Sequence, residues 1–252
     1  MSRRIVCLRH GQTLWNVEHR FQGHSDIPLD ETGQAQAARA ASLLASLRPT
    51  LIVSSDLQRA NDTALALGRV TGIEVAVDKD FRERGGGEWE GLTRQEIAER
   101  WPREYVAWEA PGGEAVTDVA VRVAAAMRRW AAKLDDDGLL VVASHGAALR
   151  LGICELLRLP LELWSAIGGL GNCSWSVLHE GRSGWRLLEH NAEHPPRADQ
   201  QRRQPRRRGA PTGVSGRSRH AGGRLFRRSW YGRAIRRIAG MAICSRRPAR
   251  ER

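Results

Sequence analysis

The sequence predicts an α/β protein built on a mostly parallel, doubly wound sheet. Two wholly apolar runs carry that prediction, Ile5-Val6-Cys7-Leu8 and Leu139-Leu140-Val141-Val142-Ala143. Neither alternates with polar residues, as expected of strands covered on both faces. The third observation is the regular alternation of such runs with helical stretches, the pattern of stacked strand–helix units.

Taken in order, residues 5–8 read as the first strand, too short for the apolar core of a signal peptide. Residues 32–47, rich in Ala, Leu and Gln, read as a helix. Residues 51–53 form a second strand. Ser54-Ser55-Asp56 then offers N-caps for a helix over 57–70. Residues 73–77 make a third strand. A helix over 116–134 follows from Val119, Val123, Met127 and Trp130, spaced by three or four. Residues 139–143 are the central strand, and 147–157 a helix after the Ser144-His145-Gly146 turn. Gly168-Gly169-Leu170-Gly171 reads as a tight turn into a strand at 174–178.

The pattern stops near Pro195-Pro196, so a globular domain is expected over residues 1–196 and a tail over 197–252. The net charge of +12 is misleading as an average. The tail holds 18 Arg and only two acids, which leaves 22 Lys and Arg against 26 Asp and Glu in the body. The body is therefore mildly acidic, and nothing in it suggests a nucleic-acid binder. The tail's Arg, Gly, Pro and Ser cannot bury enough apolar area to offset chain entropy, which favours a solvated, disordered segment. Two other readings stay open: an unselected extension of the reading frame, and a basic amphipathic helix over 225–244 that meets a membrane or nucleic acid.

Cys7, Cys154, Cys173 and Cys244 form no Cys-x-x-Cys pair. That argues against a disulfide framework or a zinc knuckle and fits a reducing cytoplasm. No apolar run approaches the roughly 20 residues needed to span a bilayer. His190 and His194, four apart, could share a helix face as metal ligands, but no third ligand accompanies them.

Chemistry is expected beyond the carboxyl ends of the strands, where open α/β sheets bind ligands. Two His-Gly pairs stand there, His10-Gly11 and His145-Gly146. Arg59 lies near the start of the helix after the second strand. Arg9, Arg59, His10, His145 and local helix N-termini would make a compact cationic pocket suited to a phosphate. A neutral imidazole could accept the phosphoryl group, and arginine forks could neutralise its equatorial oxygens. Glu83, in a Gly-rich loop, could protonate the leaving oxygen and then take a proton from water. Taken singly, each of these residues is more often structural; their order and their places at strand ends reverse that judgement.

Leu8-Arg9-His10-Gly11-Gln12-Thr13, with Asn16, resembles the opening signature of the histidine phosphatase (phosphoglycerate mutase-like) superfamily. The resemblance continues through Phe21-Gln22-Gly23, Ser54-Ser55-Asp56-Leu57-Gln58-Arg59-Ala60, Gly87-Glu88-Trp89-Glu90-Gly91 and Ser144-His145-Gly146. It implies a three-layer α/β/α sandwich with a mostly parallel central sheet. It also implies a phosphohistidine at His10, a proton donor at Glu83, and phosphoryl binding by Arg9, Arg59 and His145. Asn16, Gln22 and Gly23 are implied as further substrate contacts. No cofactor and no metal are implied.

The mutase branch carries an adjacent arginine pair between the catalytic Glu and the second His-Gly, in an insertion that binds a second phosphate. Here residues 94–113 hold Arg100 and Arg103 but no adjacent pair, and Arg128-Arg129 falls inside a helix. Ala147 also stands where mutases typically have Asn. Hydrolysis of a small phosphorylated substrate is favoured over a mutase-type isomerase, and both over a nucleic-acid or membrane binder that uses the basic tail. Residues 159–164 and 168–175 are similar to those of an actinobacterial subgroup acting on glucosyl-3-phosphoglycerate, which implies that ester as substrate. A homodimer is an assembly open to such a chain. Arg84-Gly85-Gly86, where related chains carry bulkier residues, predicts a mobile loop around Glu83.

Overall fold

The computed structural model describes residues 3–194 of the 252. The tail and the boundary expected at 196/197 lie outside the described residues. The chain begins with β1 (Arg4–Arg9), a short α1 (Leu14–Val17), α2 (Glu31–Ala45), β2 (Leu51–Ser54), α3 (Gln58–Thr71) and β3 (Val75–Val77). Two 3₁₀ turns, Lys79–Phe81 and Gly87–Trp89, lead to α4 (Arg94–Arg100), α5 (Pro102–Ala107) and α6 (Val116–Ala131). β4 (Leu139–Ser144), α7 (Gly146–Leu156), a 3₁₀ turn at Leu161–Ala166, β5 (Trp175–Gly181) and β6 (Gly184–Ala192) complete it.

The six strands form one sheet in the order β3-β2-β4-β1-β5-β6. β3, β2, β4 and β1 run parallel, and β5 and β6 add an antiparallel edge. Alternation along the buried strands sorts their side chains into two layers. Ile5, Cys7, Val53, Leu140 and Val142 pack with α6 and α7 on one face. Val6, Leu8, Ile52, Val141 and Ala143 pack with α2 and α3 on the other. The apolar face read from Val119, Val123 and Met127 is buried as the spacing required. A third, smaller cluster gathers Trp89, Ile97 and Ala110 with Phe21, Tyr105 and Trp108 beside α4 and α5.

Register places the functional edge. Arg9 lies opposite Ser144 in the β1–β4 ladder, and Ser54 lies opposite Ala143 in β2–β4. The ladder runs one residue further on each side, with the His10 amide donating to Ser144 O and the Ser55 amide to Ala143 O. His10, His145 and Ser55 therefore leave the sheet at the same edge. Gly11 is needed at once, because a Cβ there would meet Gly33 O of α2 at 2.4 Å.

Several expectations are corrected. Ser54, Ser55 and Asp56 do not cap α3. Leu57 is the N-cap and makes no side-chain bond, while the Gln58 amide donates to Asp26 Oδ1 across the chain. Asp56 is instead ion-paired with Arg82. β6 is a strand where none was expected, so His190 and His194 share no helix face. His190 Nδ1 lies 2.9 Å from Ser176 Oγ and Nε2 lies 2.9 Å from Gly168 O, so both ring nitrogens are engaged. Among the described residues no group of three or more His, Cys, Asp or Glu could hold a metal, and no helix is long and apolar enough to cross a membrane. Cys7, Cys154 and Cys173 are free thiols and buried.

Candidate active site

His10 sits just past the end of β1 and is only 3 % exposed. Its Nδ1 lies 2.7 Å from Gly11 O. A carbonyl can only accept, so Nδ1 carries the ring proton and Nε2 keeps its lone pair. Burial, reinforced by the charges of Arg9 and Arg59, pushes the pKa of His10 well below its ordinary value near 6.5. The imidazole is neutral and nucleophilic throughout the physiological range.

His145 caps β4, with its ring centroid 5.2 Å from that of His10. Its Nε2 lies 2.9 Å from Ser55 Oγ, which accepts from the Leu57 amide. The serine proton has no other acceptor among the described residues, so it donates to Nε2 and the remaining ring N–H is on Nδ1. Nδ1 is buried and has no partner among the described residues, a donor held ready for an anion. Burial, then the charge of Arg59, pushes the pKa of His145 well down as well.

Arg59, from the first turn of α3, is fully buried. Nη1 donates to Ser25 O at 2.7 Å and Nη2 to Gly23 O at 2.9 Å, while Nε has no partner. Burial lowers its pKa to about 10, against the raising effect of Glu83, Asp26 and Glu90, so it stays charged. Arg9 donates through Nη1 to Leu170 O at 2.6 Å, and its Nε is likewise unpartnered. Burial depresses its pKa too. Neither guanidinium has a carboxylate within ion-pair distance among the described residues. One buried and one half-buried positive charge without a carboxylate partner are costly, and an incoming dianion would relieve that cost.

Glu83 lies in the loop between the two 3₁₀ turns. Its Oε1 accepts from the amides of Arg84 at 2.8 Å and Ala148 at 2.9 Å, and Oε2 from Ala147 at 3.1 Å. The carboxylate thus docks on the first turn of α7, where the helix dipole favours negative charge. The free helix N-terminus expected in the pocket is occupied by Glu83. The mobile loop expected at Arg84-Gly85-Gly86 is corrected as well. Arg84 is 2 % exposed and donates to Glu114 O and Trp108 O. The Gly85 and Gly86 amides donate to Glu114 and Glu90. A small residue is mobile only where nothing binds its backbone, and here every turn of the loop is tied.

Asn16 Oδ1 receives the Thr13 amide, the Thr13 hydroxyl and Asn172 Nδ2. Those donors settle the amide orientation and leave Nδ2 as its donating end. Gln22 is 8 % exposed with Oε1 unpartnered. Gly23 contributes its carbonyl to Arg59 and adopts φ +53, with Glu90 Oε1 only 2.0 Å from where a Cβ would stand. Three residues were missed. Ser55 sets the tautomer of His145. Thr63 accepts the Gly11 amide and donates to Arg59 O. Asn172 bridges His10 O and Asn16. Ser55 and Asn172 stand inside quoted motifs, but side-chain bonds across 90 and 156 residues leave no signal in the sequence. Arg129 pairs with Asp78 and Asp80, and Arg128 reaches Glu155 O, so that pair is engaged away from the histidines.

Comparison with known proteins matches residues 5–193 to the histidine phosphatase superfamily (branch 1). The chain is 43% identical over 190 residues to a glucosyl-3-phosphoglycerate phosphatase of Mycobacterium tuberculosis, covering 70% of this chain and 85% of the relative. It is 42% identical over 189 residues to one of Mycolicibacterium vanbaalenii, covering 70% and 84%. A solved mycobacterial glucosyl-3-phosphoglycerate phosphatase in complex with VO3 superposes with a TM-score of 0.71 at 44% identity, covering 75% of this chain and 99% of that one.

Proposed function

The chain belongs to branch 1 of the histidine phosphatase superfamily, and we propose that it works through a phosphohistidine at His10. It is a phosphoric monoester hydrolase acting on a small phosphorylated metabolite. The observation that carries the His10 assignment is its tautomer. The Gly11 carbonyl holds the proton on Nδ1 and leaves Nε2 bare, beside two arginines that lack a carboxylate partner among the described residues, Arg59 buried and Arg9 half-buried.

In the proposed reaction Nε2 attacks phosphorus as the ester P–O bond breaks, with the leaving oxygen taking a proton from Glu83. Arg9, Arg59 and the Nδ1–H of His145 neutralise charge on the equatorial oxygens. Water then attacks the phosphohistidine, gives its proton to the Glu83 carboxylate, and releases inorganic phosphate with His10 neutral again. The hydrogen bond from Nδ1 to Gly11 O stabilises the phosphoimidazolium meanwhile. Asn16 Nδ2 and Gln22 contact the substrate, and Gly23 acts through the carbonyl that seats Arg59.

We assign glucosyl-3-phosphoglycerate as the substrate, supported by the 42–43% identity to enzymes of that name. The catalytic domain is assigned to residues 1–196, in the cytoplasm and without an obligatory nucleic-acid or membrane partner. A panel of phosphomonoesters assayed for phosphate release tests the substrate. Glucosyl-3-phosphoglycerate should show the highest kcat/KM, and a flat panel or another winner would sink that assignment. Truncation after Pro196 should leave turnover unchanged, and a large loss would refute the domain boundary.

A further inference from the structure

Glu83 belongs to neither a strand nor a helix, yet the backbone that carries it is held by one guanidinium. Arg122 of α6 donates through Nη1 to Asp80 O and Arg82 O, both at 2.8 Å, and through Nη2 to Glu83 O at 2.9 Å. Its Nε and Nη2 also meet the two carboxylate oxygens of Glu114 at 3.0 and 2.8 Å. Glu114 passes the constraint on. Its Oε2 accepts the Gly85 amide at 2.7 Å, its own amide donates to Gly85 O at 3.0 Å, and its carbonyl receives Arg84 Nε at 2.8 Å. His24 Nε2 adds a bond to Glu83 O at 2.8 Å. The backbone on both sides of Glu83 is thus bonded to a single bidentate ion pair, whose side chains are 19 and 31 % exposed.

An ordinary surface ion pair contributes little and touches no backbone. Arg129, two turns along the same helix, is of that kind. Its side chain is 48 % exposed and, among the described residues, pairs with the side chains of Asp78 and Asp80. Arg122 instead satisfies three carbonyls of the segment 80–83 that have no place in the sheet. The two oxygens of Glu83 also differ. Oε1 takes two amide donors and Oε2 only one, so Oε2 keeps the lone pair that can hold a transferable proton.

We infer that Arg122 and Glu114 are positioning residues for Glu83, fixing residues 82–85 so that Oε2 meets the leaving-group oxygen. This rests on the reading of Glu83 as the proton donor, and it adds a requirement that reading lacks. The acid works only while an ion pair anchored on α6 holds its backbone. Proton delivery tolerates little misplacement, since an error of about 1 Å can cost on the order of 10²-fold in rate.

The leaving group separates this role from general support of the fold. An alkyl phosphate expels an alkoxide that needs a proton, whereas p-nitrophenyl phosphate expels a stable phenolate that does not. kcat/KM reports the steps up to formation of the phosphohistidine, so later hydrolysis does not blur the contrast. In the full-length chain, Glu83→Gln should lower kcat/KM for the alkyl ester by roughly 10²–10⁴-fold while leaving the aryl ester within about tenfold. Arg122→Met should show the same split, with a loss of about 10²-fold on the alkyl ester and about threefold or less on the aryl ester. Arg122→Lys should recover only part of it, because a lysine lacks the planar fork. Arg129→Met should show no split.

Equal losses on both esters in Arg122→Met, with the split present in Glu83→Gln, would overturn the inference and leave Arg122 a fold support. Absence of the split in Glu83→Gln would instead refute the acid assignment itself. If Arg122→Met loses its cooperative thermal transition, Glu114→Gln decides the matter, since it keeps the shape and removes the charge. A split of about tenfold is expected there, and equal losses on both esters would overturn the inference.

Discussion

The two halves of the site are built differently. His10, His145 and Ser55 take their places from the ends of three neighbouring parallel strands, and their positions follow from a ladder the sheet needs in any case. Glu83 comes from a loop outside the sheet and owes its place to side-chain bonds from Arg122, Glu114 and His24. In the first half, function adds chemistry to positions already rigid. In the second, the rigidity itself has to be made by dedicated residues. The strand-end half should therefore fail through loss of a reacting group, and the loop half through loss of geometry.

The largest effect that would sharpen this contrast is at His10. Replacing it with Ala should lower phosphate release by about 10⁴-fold or more, while the thermal transition persists, because the ladder does not depend on the imidazole. Unchanged turnover would break the strand-end half of the picture. Arg59→Met comes next. It removes the buried guanidinium proposed to bind the phosphoryl oxygens, and kcat/KM should fall by roughly 10²–10³-fold on alkyl and aryl esters alike. A leaving-group split in that variant would blur the two halves into one.

Asn172→Ala should be milder. It removes one of the three donors on Asn16 Oδ1 and unties His10 O, for a loss of about tenfold in kcat/KM carried mainly by KM. A larger fall in kcat than in KM would show that Asn172 acts on the nucleophile instead.

The histidine pair also makes a prediction on pH. Each imidazole protonates near 6.5 in the unfolded chain and only well below that when folded. Between those values the unfolded state binds more protons. Stability is therefore complete above about pH 6.5 and falls as the pH drops through that window, by at most about 1.4 kcal/mol per pH unit for each histidine. Urea midpoints at pH 7 and 5.5 should separate more in the wild type than in His10→Gln, and equal separations would refute the buried neutral pair. An effect on packing rather than on a reacting group is expected at Gly33, whose Cβ would meet Gln12 O at 2.0 Å. Gly33→Ala should cost about 3 kcal/mol by thermal or urea unfolding and lower turnover as well, because the Gln12 backbone that must yield adjoins Gly11 and His10, and an unshifted transition would refute this tight packing.

Much of the strand-end half was legible beforehand. The runs at residues 5–8 and 139–143 announced buried parallel strands, and the His-Gly pairs after them fell at one edge because parallel strands share a polarity. β6 was not legible. Its burial alternates weakly, from exposed to half-buried, because among the described residues it is an edge strand paired with β5 alone, and without that partner its residues read as loop. The loop around Glu83 was read as mobile for a related reason. Three consecutive glycines advertise freedom, and the bonds that remove it come from Glu90 and Glu114, and from Arg122 nearly forty residues away.

By itself, then, the sequence determined β1 to β5, the long helices that cover them, and which residues stand at the carboxyl edge of the parallel strands. These depend on local periodicity and on the polarity of parallel strands. Only the tertiary structure decided which nitrogen of His10 is free, which end of Asn16 donates, and what holds Glu83 still. Those depend on single hydrogen bonds between distant segments, and such bonds arise only when the chain has closed on itself.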